Sequence, residues 1–240
     1  MKYMGSKLRI KKDITSIIQQ IINDNNITTY IEPFVGGANV IDSITCNNKI
    51  GGDNSDTLIE LLKYVRDGGK LPEEVPKSLY DDVRSHKNTD KYKKWFIGAI
   101  GYLASYNGRY FDGGYAKTIT TKTGVIRNYY EEAKRNLEQQ SQYLQGIEFI
   151  YGEYTQFSNV QNSLIYCDPP YKDTKQYNTS KNFNHEIFWQ WCRDMSKDNI
   201  VIISEEQAPE DFTCIWQQNI TRTINNADRI KKVERMYKYE

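Results

Sequence analysis

Histidine and cysteine are scarce in this chain, at two and four residues. Cys46, Cys167, Cys192 and Cys214 form no C-x-x-C pair and have no histidine at metal-ligand spacing. That excludes a zinc ribbon or a disulfide framework and leaves free thiols suited to a reducing cytosol. His86 and His185 stand apart and read as surface or capping residues. An excess of either charge is missing too: 32 Lys and Arg against 31 Asp and Glu give a net charge of +1. A surface for a polyanion therefore has to be a local patch. No apolar run is long enough to span a bilayer, and the opening MKYMGSKLRIKKDIT lacks the apolar core of a signal peptide. Repeats and low-complexity tracts are absent as well. The expectation is a soluble, intracellular protein with neither a metal nor a membrane as partner.

What the chain does have is length, aromatic residues and alternation. Its 240 residues suffice for one large domain, or for one domain carrying an insertion. Tyrosine, at 19 copies, can fill half-buried sites or stack on bases. Residues 10 to 23 set Ile10, Ile14, Ile17, Ile18, Ile21 and Ile22 on one helical face. YIEPFVGGANV then predicts a strand, a tight loop and a helix from about Ala38, and KIGGDNSDTLIELLKYVRDGG predicts a strand ending at Asp53 and a helix ending at Gly68. Two such units in succession imply a parallel sheet. Residues 70 to 128 break the alternation: an aromatic helix, WFIGAIGYLASY, leads into a Gly-, Tyr- and Thr-rich stretch that reads as turns and a hairpin. After a helix at about 129 to 144, the strands IEFIYG, SLIYCD and NIVIIS return, with the helix HEIFWQWCRDMS before the last of them. The tail from residue 222 reads as a polar loop followed by a short basic strand or helix.

Ligands of open α/β sheets sit beyond the carboxyl ends of the strands. Three loops fall there. In EPFVGGANV, Gly36 and Gly37 let the backbone approach a nucleotide-type cofactor, or simply make a tight turn. Asp53 either accepts hydrogen bonds from a ribose or prepares the N-terminus of the next helix. In DPPY, Pro169 and Pro170 remove two N–H donors, so the Asp168 carboxylate and the neighbouring carbonyls make an acceptor-rich corner beside Tyr171. Such a corner suits a planar group with an exocyclic amine; the alternative is a proline turn capped by an aspartate.

Taken together, YMGSK, EPFVGG, DNSDTLI and DPPY resemble, in order and over nearly the whole chain, the Dam-type DNA adenine-N6 methyltransferases, the D12 class of the alpha group. The resemblance implies an α/β, Rossmann-like S-adenosylmethionine-dependent methyltransferase fold with a mainly helical DNA-recognition insertion. Its catalytic core would be residues 1–69 and 129–240, and its target-recognition insertion 70–128. S-adenosyl-L-methionine would be the methyl donor and a flipped-out adenine in double-stranded DNA the acceptor. The cofactor site would take Tyr3, Lys7, Glu32, Pro33, Phe34, Gly36, Gly37, Asp53 and Asn54, with Asp168 standing between cofactor and base. Asp168 and Pro169 would bond the target amine, Pro170 would complete the corner, and Tyr171 would stack on the base. DNA contacts would come from Asn107, Arg109, Tyr110, Lys117, Lys122 and Arg127, whose alternative is a solvated loop surface, with Lys231, Lys232 and Arg235 near the end as further phosphate contacts or solubilising charges. Two positions depart from the family pattern: Ala38 and Ser6 stand where glycines are usual.

The resemblance further implies a protein of the bacterial cytoplasm, encoded by the cell or by a phage, acting as a monomer or as a dimer on DNA. Cytosine-N4 methylation is the nearest rival, because that amine fits the same corner. The rival from another class is a DNA-binding protein on the same scaffold without catalysis.

Overall fold

A computed structural model describes residues 1–121, 123–171, 183–223 and 229–239, with the backbone alone at 221–223 and 229–231. Lys122, the side chain of Lys231 and the residues just after the DPPY corner, 172–182, lie outside the described residues.

The isoleucine stripe does form α1 (Lys11–Asp24), burying Ile14, Ile18 and Ile22. Two strands follow, β1 (Thr29–Glu32) and β2 (Asn48–Asp53), of which only the second leads into a helix, α2 (Asp56–Arg66). The insertion holds α3 (Lys77–Ser85), α4 (Lys94–Gly98) and a hairpin of β3 (Thr118–Thr120) and β4 (Ile126–Asn128). Beyond it come α5 (Tyr129–Ser141), β5 (Ile147–Tyr151), β6 (Leu164–Cys167), α6 (His185–Met195) and β7 (Ile200–Glu205). Asn128 and Asn184 cap α5 and α6, accepting from the N–H groups of Glu131 and Ile187 at 3.2 and 3.1 Å.

The main sheet runs β5-β2-β1-β6-β7, all parallel, and is completed by β9 (Arg229–Tyr239) and β8 (Phe212–Thr223), which are antiparallel to β7 and to β9 respectively. Strand alternation divides the core in two. Tyr30, Leu164 and Ile202 face one cluster with α1, α2, α5 and the insertion; Ile31, Ile165 and Ile203 face another built on α6. This is the expected α/β, Rossmann-like arrangement. The strand order reverses between β1 and β6, which opens a crevice between Glu32 and Asp168.

The insertion shares the first cluster through Tyr80, Val83, Ile97, Ile100 and Leu103. Gly98 lets α4 lie directly on α2, since a Cβ there would meet the Thr57 carbonyl oxygen at 2.2 Å.

Two expectations need correcting. No helix begins at Ala38: only a single 3-10 turn forms, at Ile41–Ser43, because Gly36 and Ala38 take left-handed φ of +47° and +54°. The Gln140 side chain donates to the Gly37 and Ala38 carbonyls at 3.1 and 3.0 Å and supports the irregular path. The aromatic helix does not run through to Tyr106, because α4 passes into one π-helical turn, Ala99–Leu103, and stops. Of the strand and the helix left open for the end of the tail, the strand forms: β9, of eleven residues.

Candidate active site

The loop after β1 and the chain's opening segment build one wall of a cavity of about 360 Å³ in the crevice. Tyr3 packs onto the glycine loop so closely that a Cβ on Gly36 would sit 2.9 Å from its ring. Asn39 ties the two segments together, donating to the Ser6 hydroxyl and the Met1 carbonyl, both at 3.0 Å. The serine that departs from the family's glycine pattern thus has a partner. At the end of β2, both alternatives for Asp53 bear on the same carboxylate: Oδ1 accepts from the Ser55 N–H at 2.9 Å and Oδ2 from the Gly36 N–H at 3.1 Å. Burial pushes this carboxyl up to about 6. Glu32 accepts from the Tyr30 hydroxyl at 2.7 Å, and burial drives it well above the ordinary carboxylate range, favouring its neutral form.

The opposite wall is the corner after β6. Lys7 reaches across the crevice to Asp168 Oδ1 at 3.0 Å. Burial raises the Asp168 carboxyl, while the Lys7 ammonium opposes that rise. Lys7 also donates to the Tyr171 hydroxyl and lies 4.3 Å from the centre of its ring. The Tyr171 ring is only 8% exposed.

All thirteen residues expected at the cofactor site and acceptor corner line this one cavity. The five expected DNA contacts among the described residues do not line it. Tyr110 packs inward, 4.8 Å from the Tyr102 ring, and Arg109 pairs with Asp112 at 3.0 Å. Asn107 is exposed in the 3-10 turn Tyr106–Gly108, whose Gly108 abuts the Lys2 backbone beside Tyr3. Lys117 is exposed at the base of the hairpin, and Arg127 on β4 is exposed and paired bidentately with Glu132.

The sequence reading missed a third group. Gly152, Glu153 and Tyr154, just past β5, line the cavity, and Tyr154 stacks on Phe34 with ring centres 5.5 Å apart. The signal was available, since these residues also follow the carboxyl end of a parallel strand. Among the described residues no helix is long and apolar enough to cross a membrane, and no group of three or more His, Cys, Asp and Glu could hold a metal ion.

Comparison with known proteins agrees with this chemistry. The family model for the D12 class N6 adenine-specific DNA methyltransferases matches residues 3–192. The Type II methyltransferase M.MjaIII of Methanocaldococcus jannaschii is 27% identical over 198 residues, covering 72% of this chain and 68% of that protein. Among solved structures, TrmN from Thermus thermophilus aligns with 94% of this chain and 49% of its own at 8% identity and a TM-score of 0.40. PH1948 from Pyrococcus horikoshii, a candidate RNA methyltransferase, aligns with 99% and 83% at 6% identity and a TM-score of 0.44. Matched by the family model over more than three quarters of its length, the chain belongs to the D12 class of N6 adenine-specific DNA methyltransferases.

Proposed function

We propose that the cavity binds S-adenosyl-L-methionine and a flipped-out adenine side by side, and that the chain methylates a specific site in double-stranded DNA. One observation carries this reading: motif residues from Tyr3 to Tyr171 converge on one cavity, with a glycine loop on one wall and an amine-accepting corner on the other. The cavity volume lies in the range of small-molecule sites. The residues suit the cofactor's chemistry: Asp53 for a diol, Phe34 and Tyr154 for a flat ring, and the Asp168 carboxylate near a cationic centre.

The cofactor supplies a sulfonium methyl group. The protein's part is to position the acceptor and stabilise its charge. An adenine within a duplex cannot reach an enclosed cavity, so unstacking at a cost of a few kcal/mol comes first. The Asp168 carboxylate and Pro169 carbonyl accept the two amine hydrogens, which draws the nitrogen lone pair out of conjugation with the ring. Asp168 then stabilises the positive charge that grows on nitrogen and can take the departing proton, a role its raised basicity supports. Lys7, at 3.0 Å, keeps that carboxylate ionised before the base arrives. Tyr171 bounds the base pocket.

In this reading residues 1–69 and 129–240 do the chemistry, and residues 70–128 recognise the DNA through the 3-10 turn and the hairpin. One chain is the working unit. The test is mass spectrometry of nucleosides from unmethylated genomic DNA incubated with protein and S-adenosylmethionine. N6-methyladenine is expected; N4-methylcytosine, or no modified base despite cofactor binding, would overturn the assigned acceptor.

A further inference from the structure

β9 runs antiparallel to β7, with Arg235 opposite Glu205, so Glu234 lies just beyond the carboxyl end of β7, on the crevice side of the sheet. Its side chain is 2% exposed, on a strand position where alternation calls for an apolar residue. A buried carboxylate is a poor way to stabilise a fold, since desolvation offsets much of the attraction to its partners. Each oxygen has a defined task. Oε2 accepts from the Tyr171 hydroxyl at 2.8 Å and from Lys7 at 3.2 Å, while Oε1 faces Lys232 at 3.8 Å. Lys232 pairs with Glu206 as well, and its ammonium lies 4.3 Å from the centre of the Tyr171 ring. Neither Glu234 nor Lys232 is among the residues lining the cavity, and the family match ends at residue 192.

We infer that Glu234 is a positioning residue for methyl transfer, holding the Tyr171 hydroxyl and drawing the Lys7 ammonium partly off Asp168. The inference rests on the proposed roles of Asp168 and Tyr171. Lys7 divides itself between Asp168 Oδ1 at 3.0 Å and Glu234 Oε2 at 3.2 Å. If Glu234 lost its charge, Lys7 would turn wholly onto Asp168 and occupy lone pairs that the incoming amine needs. The site's charge would also change. Lys7 and Lys232 face Asp168, Glu234 and Glu206, an excess of one negative charge; without Glu234 that excess is lost where the acceptor nitrogen becomes cationic.

The experiment compares wild type with Glu234→Gln, using tritiated S-adenosylmethionine and unmethylated genomic DNA for kcat, and calorimetric titration for cofactor affinity. The expected kcat falls about 10- to 100-fold, the rate equivalent of one charge-assisted hydrogen bond. The Kd for S-adenosylmethionine is expected to stay within about threefold, because Glu234 does not line the cavity. A kcat within about twofold of wild type, or a loss of affinity as large as the loss of kcat, would overturn the role. A double-mutant cycle with Lys7→Gln adds a second readout. The paired effects should be less than multiplicative, and independent effects would sink the coupling through Lys7. Should Glu234→Gln fail to fold, Glu234→Asp keeps the charge but withdraws it by one methylene; its expected kcat is intermediate, and a wild-type rate would count against the inference. Wild-type protein that leaves no N6-methyladenine would instead overturn the proposed function, and this inference with it.

Discussion

Asp168 pairs with Lys7 and, in the proposed reaction, also accepts the target amine, and Asp168→Asn separates charge from shape. The amide keeps an acceptor oxygen but cannot offset positive charge on nitrogen. Methyl incorporation from tritiated cofactor should fall at least about 100-fold, as when a charge-stabilising group is removed from other active sites. Asp53 leads to a pH prediction. Its carboxyl titrates at about 6 in the folded chain against an ordinary 3.8, so the native state holds the proton more tightly than the unfolded state. The stability tied to that proton is present at low pH and is lost as pH rises from about 4 to 6. Cofactor binding has the opposite sign if the ionised form holds a ribose: affinity for S-adenosylmethionine should weaken by up to about tenfold per pH unit below 6, with Asp53→Asn flat over the same range. A wild-type affinity unchanged from pH 7 to 5 would remove the ionised carboxylate from the binding scheme. Ala38 shows why an alanine survives in a glycine position. Left-handed φ costs about 1–2 kcal/mol for an L-residue, but the fully buried methyl returns about 0.8 kcal/mol.

The contact of α4 with α2 depends on one missing side chain. A Cβ on Gly98 would meet backbone, the Thr57 carbonyl, which cannot swing aside. Gly98→Ala gains up to about 1 kcal/mol of helix propensity but forces the helices apart, at about 1–3 kcal/mol. Steric cost should win, so the urea midpoint should fall with its slope unchanged. Elements with strong periodicity were legible from sequence for the same reason that they fold: α1 by its isoleucines, β7 by its branched apolar run, and α2 by the strand and loop before it. β9 was not. Its inward positions include Glu234 and Lys232 as well as Met236, so the functional charges erase the alternation that marks a strand. The loop after β1 misled in the other direction. Its glycines suggest a helix start, and nothing local reveals that Gln140, a hundred residues on, caps its carbonyls.

Across the whole molecule, a charge of +1 leaves DNA attraction to local patches. If the hairpin binds phosphates, the double variant Lys117→Ala and Arg127→Ala should flatten the salt dependence of DNA binding by about 0.9 in log-log slope for each phosphate no longer neutralised. Arg127 must exchange Glu132 for phosphate, so its share should be smaller than that of Lys117. An unchanged slope would move the DNA surface elsewhere. The convergence of motif residues on the crevice was largely legible, because switch-point loops carry compact motifs; the third loop after β5 and the group on β9 were not, because one lacks a distinctive motif and the other arrives by an antiparallel return. That return has a consequence in time. Lys7 and Glu234 touch across 227 residues of chain, so their contact closes a very long loop. Contacts of such long sequence separation form late in folding. The glycine loop and its Asp53 support can assemble while a growing chain is still on the ribosome, but the corner proposed to hold the amine is finished only after β9 emerges. Synthesis itself therefore acts as a timer, and a half-made chain has no completed place to hold an adenine.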